Sequence, residues 1–221
     1  MLTLAPFTLA LALTVWFSAF LMKVGPDWLI DLPAQRKIHN RPVPRIGGLA
    51  IGTAFFLSTF IFDLYIQLWW YLAGGVMLFV LGALDDRKSI RWPIKLVVQL
   101  IVSFIIIFRF LETVESVFFF NTALNFSTIG LIAVFLIWFV GILNAVNLID
   151  GMDGLAGGFV ILVTVFSLII GFINEAYLFL TLNSILLGIL TGFLLFNQKP
   201  ARYFMGDSGS LLLGYHMACL P

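Results

Sequence analysis

The chain has 221 residues and a net charge of +1, and 62% of its residues are hydrophobic while only 10% are charged. Because soluble domains carry about 25% charged residues, this composition, with a mean hydropathy of +1.10, excludes an ordinary soluble domain. A single cysteine, Cys219, excludes an internal disulfide framework.

Apolar runs recur along the whole chain and are long enough to cross a hydrocarbon layer of about 30 Å as helices. The predicted helices, bounded by charged residues, proline and glycine, cover residues 4–22, 47–62, 67–84, 94–108, 128–146, 155–173 and 177–196, and an eighth begins near Gly209. The predicted fold class is therefore all-α, a polytopic transmembrane bundle of seven complete helices and a shorter eighth. No small-residue cleavage site closes the first apolar run, so we interpret it as a retained helix.

Positive charge predicts the orientation of this bundle. If the helices alternate across the membrane, 11 of the 12 Lys and Arg residues fall in one set of loops and only Arg109 falls in the other. Loops with such an excess face the cytoplasm, which leaves the N-terminus outside. The same set of loops contains Asp31, Asp85, Asp86, Asp150, Asp153 and Asp207. Any chemistry should therefore face the cytoplasm.

Two adjacent carboxylates, Asp85 and Asp86, follow the third predicted helix in the run GALDDRK. Repulsion between them favours a cation or a proton shared by the pair. A hard divalent ion such as Mg²⁺ suits an open acidic loop of this kind. The alternative interpretation is a solvated helix end that only carries charge.

The fifth predicted helix leads into a more specific pattern, NAVNLIDGMDGLAGG. Asn144, Asn147 and Asp150 are three residues apart, so they share a helical face and aim at one point. Asp153 follows one turn later, and the glycines around it allow the backbone to approach a ligand. Capping of two helices by Asn and Asp is the alternative, but it does not explain four aligned polar groups.

The run FNQKPARYFMGDSGS precedes the eighth predicted helix. Asp207 is a candidate metal ligand, and Phe204 is a candidate surface on which a base stacks. Backbone amides of the Gly and Ser residues are suited to phosphate oxygens. The alternative is a helix N-terminus capped by Asp207 or Ser208.

The first cytoplasmic loop, residues 31–48, is basic and stiffened by proline. Its cations, Arg45 among them, are candidates to bind a lipid phosphate, and anchoring against anionic headgroups is the alternative. His39 lies in the same loop, where a solvated histidine is the alternative to a binding role. His216, in the apolar C-terminal run, is assigned no role.

In this order and on one side of the membrane, the four loops resemble those of the polyprenyl-phosphate N-acetylhexosamine-1-phosphate transferases, which make the first lipid-linked sugar of bacterial cell-envelope polymers. The resemblance covers essentially the whole chain and rests on DLPAQRKIHNRPVPRIGG, GALDDRKSI, NAVNLIDGMDGLAGG and FNQKPARYFMGDSGS. The segment RKIH is more similar to the N-acetylglucosamine-1-phosphate branch of the family than to the muramoyl-pentapeptide branch.

The resemblance implies a reaction and its participants. A polyprenyl phosphate attacks the β-phosphorus of a UDP-N-acetylhexosamine, and UMP is released. The implied cofactor is Mg²⁺ on the diphosphate, with Mn²⁺ as the alternative ion. The implied location is the bacterial plasma membrane with the active site facing the cytoplasm, with no nucleic-acid partner and with a homodimer as one expected assembly.

The resemblance also implies roles for single residues. The expected metal ligands are Asp207 and Asn147. The expected catalytic carboxylates, which handle the lipid phosphate or shape the nucleotide pocket, are Asp85, Asp86, Asp150 and Asp153. The expected substrate-binding residues are Phe204 and Asn197 near the uracil, Lys95 at a phosphate, and Asn144, Arg45 and His39.

The predicted eighth helix has only 13 residues from Gly209 to Pro221, about 20 Å of helix, so we expect a truncated chain. By the resemblance, residues 1–221 form one membrane-embedded domain that lacks the family's C-terminal helices and its last cytoplasmic loop. An inactive remnant that binds nucleotide or lipid phosphate is therefore an alternative. A polytopic transporter is a further alternative, but its ionisable groups should lie near mid-membrane, whereas those of this chain lie in predicted loops.

Overall fold

The computed structural model describes residues 3–25, 29–31, 41–111, 117–119, 122–124 and 127–220. Within these ranges the helices are α1 (Leu4–Val24), α2 (Gly47–Ile61), α3 (Tyr65–Arg87), α4 (Trp92–Leu111), α5 (Thr128–Ile149), α6 (Leu155–Ile173), α7 (Tyr177–Asn197) and α8 (Gly206–Ala218). Two short antiparallel strand pairs accompany them: β1 (Ile30–Asp31) with β2 (Val43–Pro44), and β3 (Val117–Phe119) with β4 (Thr122–Leu124).

Six helices of the described part are long and apolar enough to cross a membrane, namely α1, α3, α4, α5, α6 and α7. The other two are shorter, with 15 residues in α2 and 13 in α8. Large apolar side chains such as Trp16, Phe104 and Phe166 are exposed on the outside of the bundle. A surface of this kind is stable against lipid rather than water. The chain is therefore a multi-pass membrane protein, and the predicted all-α class is confirmed.

Two of the helices that run further than the sequence indicated carry predicted site residues in the added turn. The third helix continues to Arg87 and the fifth to Ile149, so Asp85 and Asp86 lie in the last turn of α3 rather than in a loop. Polar residues do not end these helices because their side chains find partners on neighbouring helices. The eighth helix begins at Gly206, which puts Asp207 in its first turn.

The short helix α8 is the buried centre of the bundle. It packs against α3, α5 and α2, and every residue from Ser208 to His216 is buried. Small residues permit this close approach, because a Cβ atom on Gly48 of α2 or on Gly82 of α3 would overlap the start of α8. Small residues are the usual means by which helices approach each other in lipid. The first turn of α8 is therefore enclosed by the start of α2 and the end of α3.

Backbone hydrogen bonds join the segment before α8 to the segment before α2. The N–H of Phe204 donates to the carbonyl of Pro44 at 2.9 Å, and the N–H of Gly47 donates to the carbonyl of Phe204 at 2.9 Å. The N–H of Gly48 donates to the carbonyl of Met205 at 2.7 Å. These bonds bring the end of the first predicted cytoplasmic loop and the start of α8 to the same end of the bundle.

Candidate active site

A lysine joins aspartates from two other helices, and we call Asp85, Lys95 and Asp207 the lysine bridge. The Nζ atom of Lys95, in the first turn of α4, lies 2.6 Å from Oδ2 of Asp85 on α3 and 2.7 Å from Oδ2 of Asp207 on α8. Asp85 also accepts the backbone N–H of Ile90 at 2.6 Å, which folds the α3–α4 loop back onto this carboxylate. All three side chains of the bridge are mostly buried, so salt screens their attraction less than it screens a surface pair.

Asp86 has a different set of partners. Its Oδ1 atom accepts the backbone N–H of Asp207 at 2.8 Å, and its Oδ2 atom accepts the N–H and the hydroxyl of Ser208 at 3.0 and 2.7 Å. Consecutive residues of a helix do not share a face, so Asp85 and Asp86 point to different neighbours. In the structure Asp85 meets Lys95 and Asp86 caps α8, and a divalent ion at the pair stays a prediction.

Gly206 makes the contact with Asp86 possible. Its φ angle of 76° lies in the left-handed region that favours glycine. A Cβ atom at this position would lie 2.7 Å from Oδ1 of Asp86. A larger residue here would therefore separate the carboxylate from the amides of α8.

The polar face of α5 meets the same turn of α8. The Nδ2 atom of Asn147 donates to Oγ of Ser210 at 2.8 Å, and the Asn147 side chain lies close enough to Asp207 to help lower the pKa of that carboxyl group. Asp150, just after α5, lies beside the backbone of Gly206. The predicted shared face of α5 thus brings Asn147 and Asp150 to the start of α8.

Asn144 faces α4 rather than α8, which differs from the single point of convergence that its spacing predicted. Its Nδ2 atom donates to Oε1 of Gln99 at 3.0 Å. The pair borders a cavity of about 270 Å³ that Lys95 also lines. Gln99 was missed by the sequence reasoning, although a polar residue one helical turn after Lys95 in an apolar helix is a signal that points to it.

Asn197 and Asp153 connect the α5–α6 loop to the α7–α8 loop. The Oδ1 atom of Asn197 accepts the N–H of Gly154 at 2.9 Å, and its Nδ2 atom donates to the carbonyl of Tyr203 at 2.9 Å. Asp153 accepts the N–H of Ala201 at 3.0 Å. Because Asn197 is only 4% exposed, a nucleotide would have to break one of its bonds to contact it. The role of Asn197 seen here is to hold the two loops together.

Three predicted residues remain, and the structure describes two of them, Arg45 and Phe204. The guanidinium of Arg45 donates to Oδ1 of Asp31 at 2.7 Å. Phe204 is half-buried and lies two residues before α8. His39 lies outside the described residues. Binding roles for these three residues stay predictions.

The carboxyl groups around α8 differ in their electrostatic environment. Burial favours the neutral form of Asp207, but hydrogen bonds with the Asp85 and Lys95 side chains and the charge of Lys95 hold the pKa of Asp207 below its ordinary value. Burial, followed by the charges of Asp207 and Asp86, raises the pKa of Asp150 to about 8. Near neutral pH, Asp207 is therefore ionised while Asp150 is mainly protonated.

Oxygen atoms are the ligands that this site offers to a metal ion. Among the described residues, no group of three or more His, Cys, Asp or Glu side chains could hold an ion by itself. The carboxylates of Asp85 and Asp207 converge on one cation, the ammonium of Lys95, and the amide of Asn147 lies beside Asp207. Mg²⁺ takes one or two protein carboxylates and fills its shell with water and substrate phosphate oxygens. The donor set therefore fits Mg²⁺.

The comparisons with known proteins agree on one family. Residues 68–221 match the family described as glycosyl transferase family 4. A probable undecaprenyl-phosphate N-acetylglucosaminyl 1-phosphate transferase of Bacillus subtilis is 33% identical over 202 residues, which are 90% of this chain and 55% of that protein. An undecaprenyl-phosphate alpha-N-acetylglucosaminyl 1-phosphate transferase of Thermotoga maritima is 35% identical over 190 residues, which are 86% of this chain and 55% of that protein.

The other branch of the family is also similar. A phospho-N-acetylmuramoyl-pentapeptide-transferase of Caldanaerobacter subterraneus is 32% identical over 228 residues, with 96% of this chain and 71% of that protein covered. The chain spans about half the length of the Bacillus and Thermotoga relatives. Because the family match covers most of the chain and its four polar segments predicted the same relationship, the chain belongs to glycosyl transferase family 4.

Proposed function

We propose that the protein transfers an N-acetylhexosamine-1-phosphate from a UDP-sugar to a polyprenyl phosphate and releases UMP. The observation that carries this proposal is the lysine bridge, in which Asp85, Lys95 and Asp207 from three helices meet within hydrogen-bonding distance. Two relatives are named as N-acetylglucosaminyl 1-phosphate transferases, which favours GlcNAc-1-phosphate as the transferred group.

The chemistry is a displacement at phosphorus. An oxygen of the lipid phosphate forms a bond to the β-phosphorus of the UDP-sugar, and the bond from that phosphorus to the oxygen bridging to the α-phosphate breaks, so UMP leaves. Such a reaction needs positioning and charge neutralisation more than covalent help from the protein. A Mg²⁺ ion held by Asp207 and Asn147 would supply part of that neutralisation on the diphosphate.

The side chains of the site divide into groups that act on substrates and groups that position them. Asp85 is the carboxylate suited to orient the lipid phosphate or take its proton, and Lys95 is the cation suited to pair with a phosphate. Asp86, whose two oxygens are engaged by α8, positions Asp207. Asp150 and Asp153 border the nucleotide pocket in this proposal.

The proposed active site faces the cytoplasm of a bacterial cell. The set of predicted loops that contains Asp85 and Asp207 also contains 11 of the 12 Lys and Arg residues of the sequence, which is the charge pattern of cytoplasmic loops. UDP-sugars are cytoplasmic compounds, so this orientation agrees with the proposed donor. A homodimer stays a prediction that the mass of the purified protein in detergent would check.

The experiment is an assay of UMP release. Membranes that contain the protein are given UDP-N-acetylglucosamine, undecaprenyl phosphate and Mg²⁺, and UMP is measured by chromatography. We expect release that depends on all three additions and that Asp207→Asn lowers by about 100- to 1000-fold, because loss of a charge-stabilising group in an active site has effects of this size.

A matched control is Asp63→Asn, which changes an aspartate in the α2–α3 turn at the opposite end of the bundle. We expect this variant to keep nearly full activity. Undiminished UMP release by Asp207→Asn would contradict the proposed site. Release that does not depend on undecaprenyl phosphate would contradict the proposed acceptor.

A further inference from the structure

Lys95 lies between two regions of opposite chemistry. On one side its ammonium contacts the carboxylates of Asp85 and Asp207 at 2.6 and 2.7 Å. On the other side its chain lines the cavity of about 270 Å³ between α4 and α5. The remaining residues that line this cavity carry no charge, and they are Ile90, Trp92, Leu96, Gln99 and Asn144. Among the residues that the structure describes, Lys95 is thus the only charged one in the cavity wall, and Asp85 and Asp207 pair with its charge.

The bridging ammonium competes with a divalent ion for the same oxygen atoms. A Mg²⁺ ion lies about 2.1 Å from a ligating oxygen, and Oδ2 of Asp207 already has Nζ of Lys95 at 2.7 Å. Two cations at one oxygen repel each other strongly in a partly buried site. A metal ion bound to Oδ2 of Asp207 therefore requires the ammonium to move away from that oxygen.

We propose that Lys95 is a counter-ion switch that links metal binding to anion binding. Its ammonium neutralises Asp85 and Asp207 in the metal-free protein, and it turns into the α4–α5 cavity when a divalent ion binds. The inference rests on the proposed function only for the presence of that ion. Lysine suits this role because its four-carbon stem is flexible and its ammonium is a compact charge. The backbone of α4 need not move, since the side chain already borders the cavity.

The switch couples the binding of a metal ion to the binding of an anion. Without a metal ion, the cavity offers the Gln99 and Asn144 amides but no available charge. With a metal ion bound, the released ammonium gives the cavity affinity for a phosphate group. Coupling of this kind is reciprocal, so an anion in the cavity must raise the affinity for the metal by the same factor. Binding of the metal and binding of the phosphorylated acceptor therefore favour each other.

The test measures Mn²⁺ binding to the purified full chain in detergent by electron paramagnetic resonance, with no nucleotide and no lipid phosphate present. Lys95→Met removes the competing charge, so we expect the affinity for Mn²⁺ to rise by about tenfold, which is within the usual range of coupling between two sites. Lys95→Arg retains a competing cation, and we expect its affinity to stay within about threefold of the unaltered chain. Lys88→Met removes an exposed lysine directly after α3 and controls for the general loss of positive charge.

Stability provides a second readout. Lys95→Met leaves two carboxylates facing each other without a cation, so Mn²⁺ should raise its temperature of unfolding by more than it raises that of the unaltered chain. If this variant does not fold in detergent, Lys95→Gln, which keeps a hydrogen-bond donor without the charge, takes its place in the same comparison.

A third readout tests the coupling directly with sulfate as a dianion probe. We expect sulfate to increase Mn²⁺ affinity in the unaltered chain and not in Lys95→Met. An equal effect of sulfate on both proteins overturns the coupling. Mn²⁺ affinity of Lys95→Met that is equal to or below that of the unaltered chain overturns the switch but leaves the proposed metal site intact. No Mn²⁺ binding by either protein overturns both.

Discussion

Asp86 at the end of α3 accepts the backbone N–H of Asp207 at 2.8 Å, so one aspartate positions the helix turn that carries another. The first amides of a helix have no partner within the helix, and the residue before α8, Met205, provides no side-chain cap. The carboxylate of Asp86 supplies that cap from a neighbouring helix. Its negative charge also interacts favourably with the positive end of the helix dipole.

The first prediction concerns this cap. Asp86→Ala leaves the N–H groups of Asp207 and Ser208 without their acceptor, and we expect the free energy of unfolding to fall by about 2 to 3 kcal/mol. Asp86→Asn keeps one acceptor oxygen and should lose about half as much. Unfolding by SDS in mixed micelles provides the measurement. Asp86→Ala with the stability of the unaltered chain would contradict the capping role.

The second prediction concerns the connection between loops that Asn197 makes. Asn197→Ala removes the acceptor for Gly154 and the donor to Tyr203, so hydrogen exchange of the Gly154 amide should become at least about tenfold faster. The control is Asn174→Ala, because Asn174 is an exposed asparagine that bonds within its own helix end. It should leave Gly154 exchange unchanged. Unchanged exchange in Asn197→Ala would show that other contacts hold the loops.

The third prediction follows from the pKa of Asp150, which is raised to about 8 from an ordinary value of 3.8. Between these pH values the folded protein binds a proton that the unfolded chain has released, so stability must fall as pH rises through this range. In metal-free buffer with EDTA, we expect the temperature of unfolding to decrease from pH 6 to pH 8.5.

Asp150→Asn removes the titrating group that causes this decrease. We expect its temperature of unfolding to vary less over the same pH range and to exceed that of the unaltered chain at pH 8.5. A pH dependence that is the same in both proteins would assign the effect to another group.

The fourth prediction concerns a buried polar chain that connects three helices. The hydroxyl of Tyr71 on α3 lies 2.7 Å from Nδ1 of His216 on α8, and Nε2 of His216 lies 3.3 Å from Oδ1 of Asn183 on α7. Hydrogen bonds between helices in membrane proteins contribute about 0.6 to 1.7 kcal/mol. We expect Tyr71→Phe and His216→Leu to show a coupling energy of about 1 kcal/mol in a double-mutant cycle. Strictly additive effects would mean that the contact does not contribute to stability.

Much of the fold could be predicted from local sequence. Apolar runs that are interrupted by charged or small residues predicted each described helix to within a few residues. The extensions of α3 and α5 were missed because polar residues at a helix end read as a loop until their tertiary partners are known. The central position of α8 was missed for a related reason, since its 13 residues resemble an incomplete span.

The sequence predicted which residues belong to the candidate site better than it predicted how they are arranged. The sequence pointed to Asp85, Asp86, Lys95 and Asp207 but treated the first two as a pair. In the structure Asp85 meets Lys95 and Asp86 meets α8. Gln99 and His216 received no role, because a single polar residue in an apolar helix has no visible partner in the sequence.

By itself, the sequence determined that this protein crosses a membrane as helices and that the aspartates of its polar motifs collect at one end of the bundle. Hydrophobic length and charge placement are local properties, so they can be read without the fold. Only the tertiary structure decided that the ammonium of Lys95 bridges to Asp207, 112 residues away along the chain. Such a contact depends on which faces of α3, α4 and α8 meet, and helix packing sets those faces.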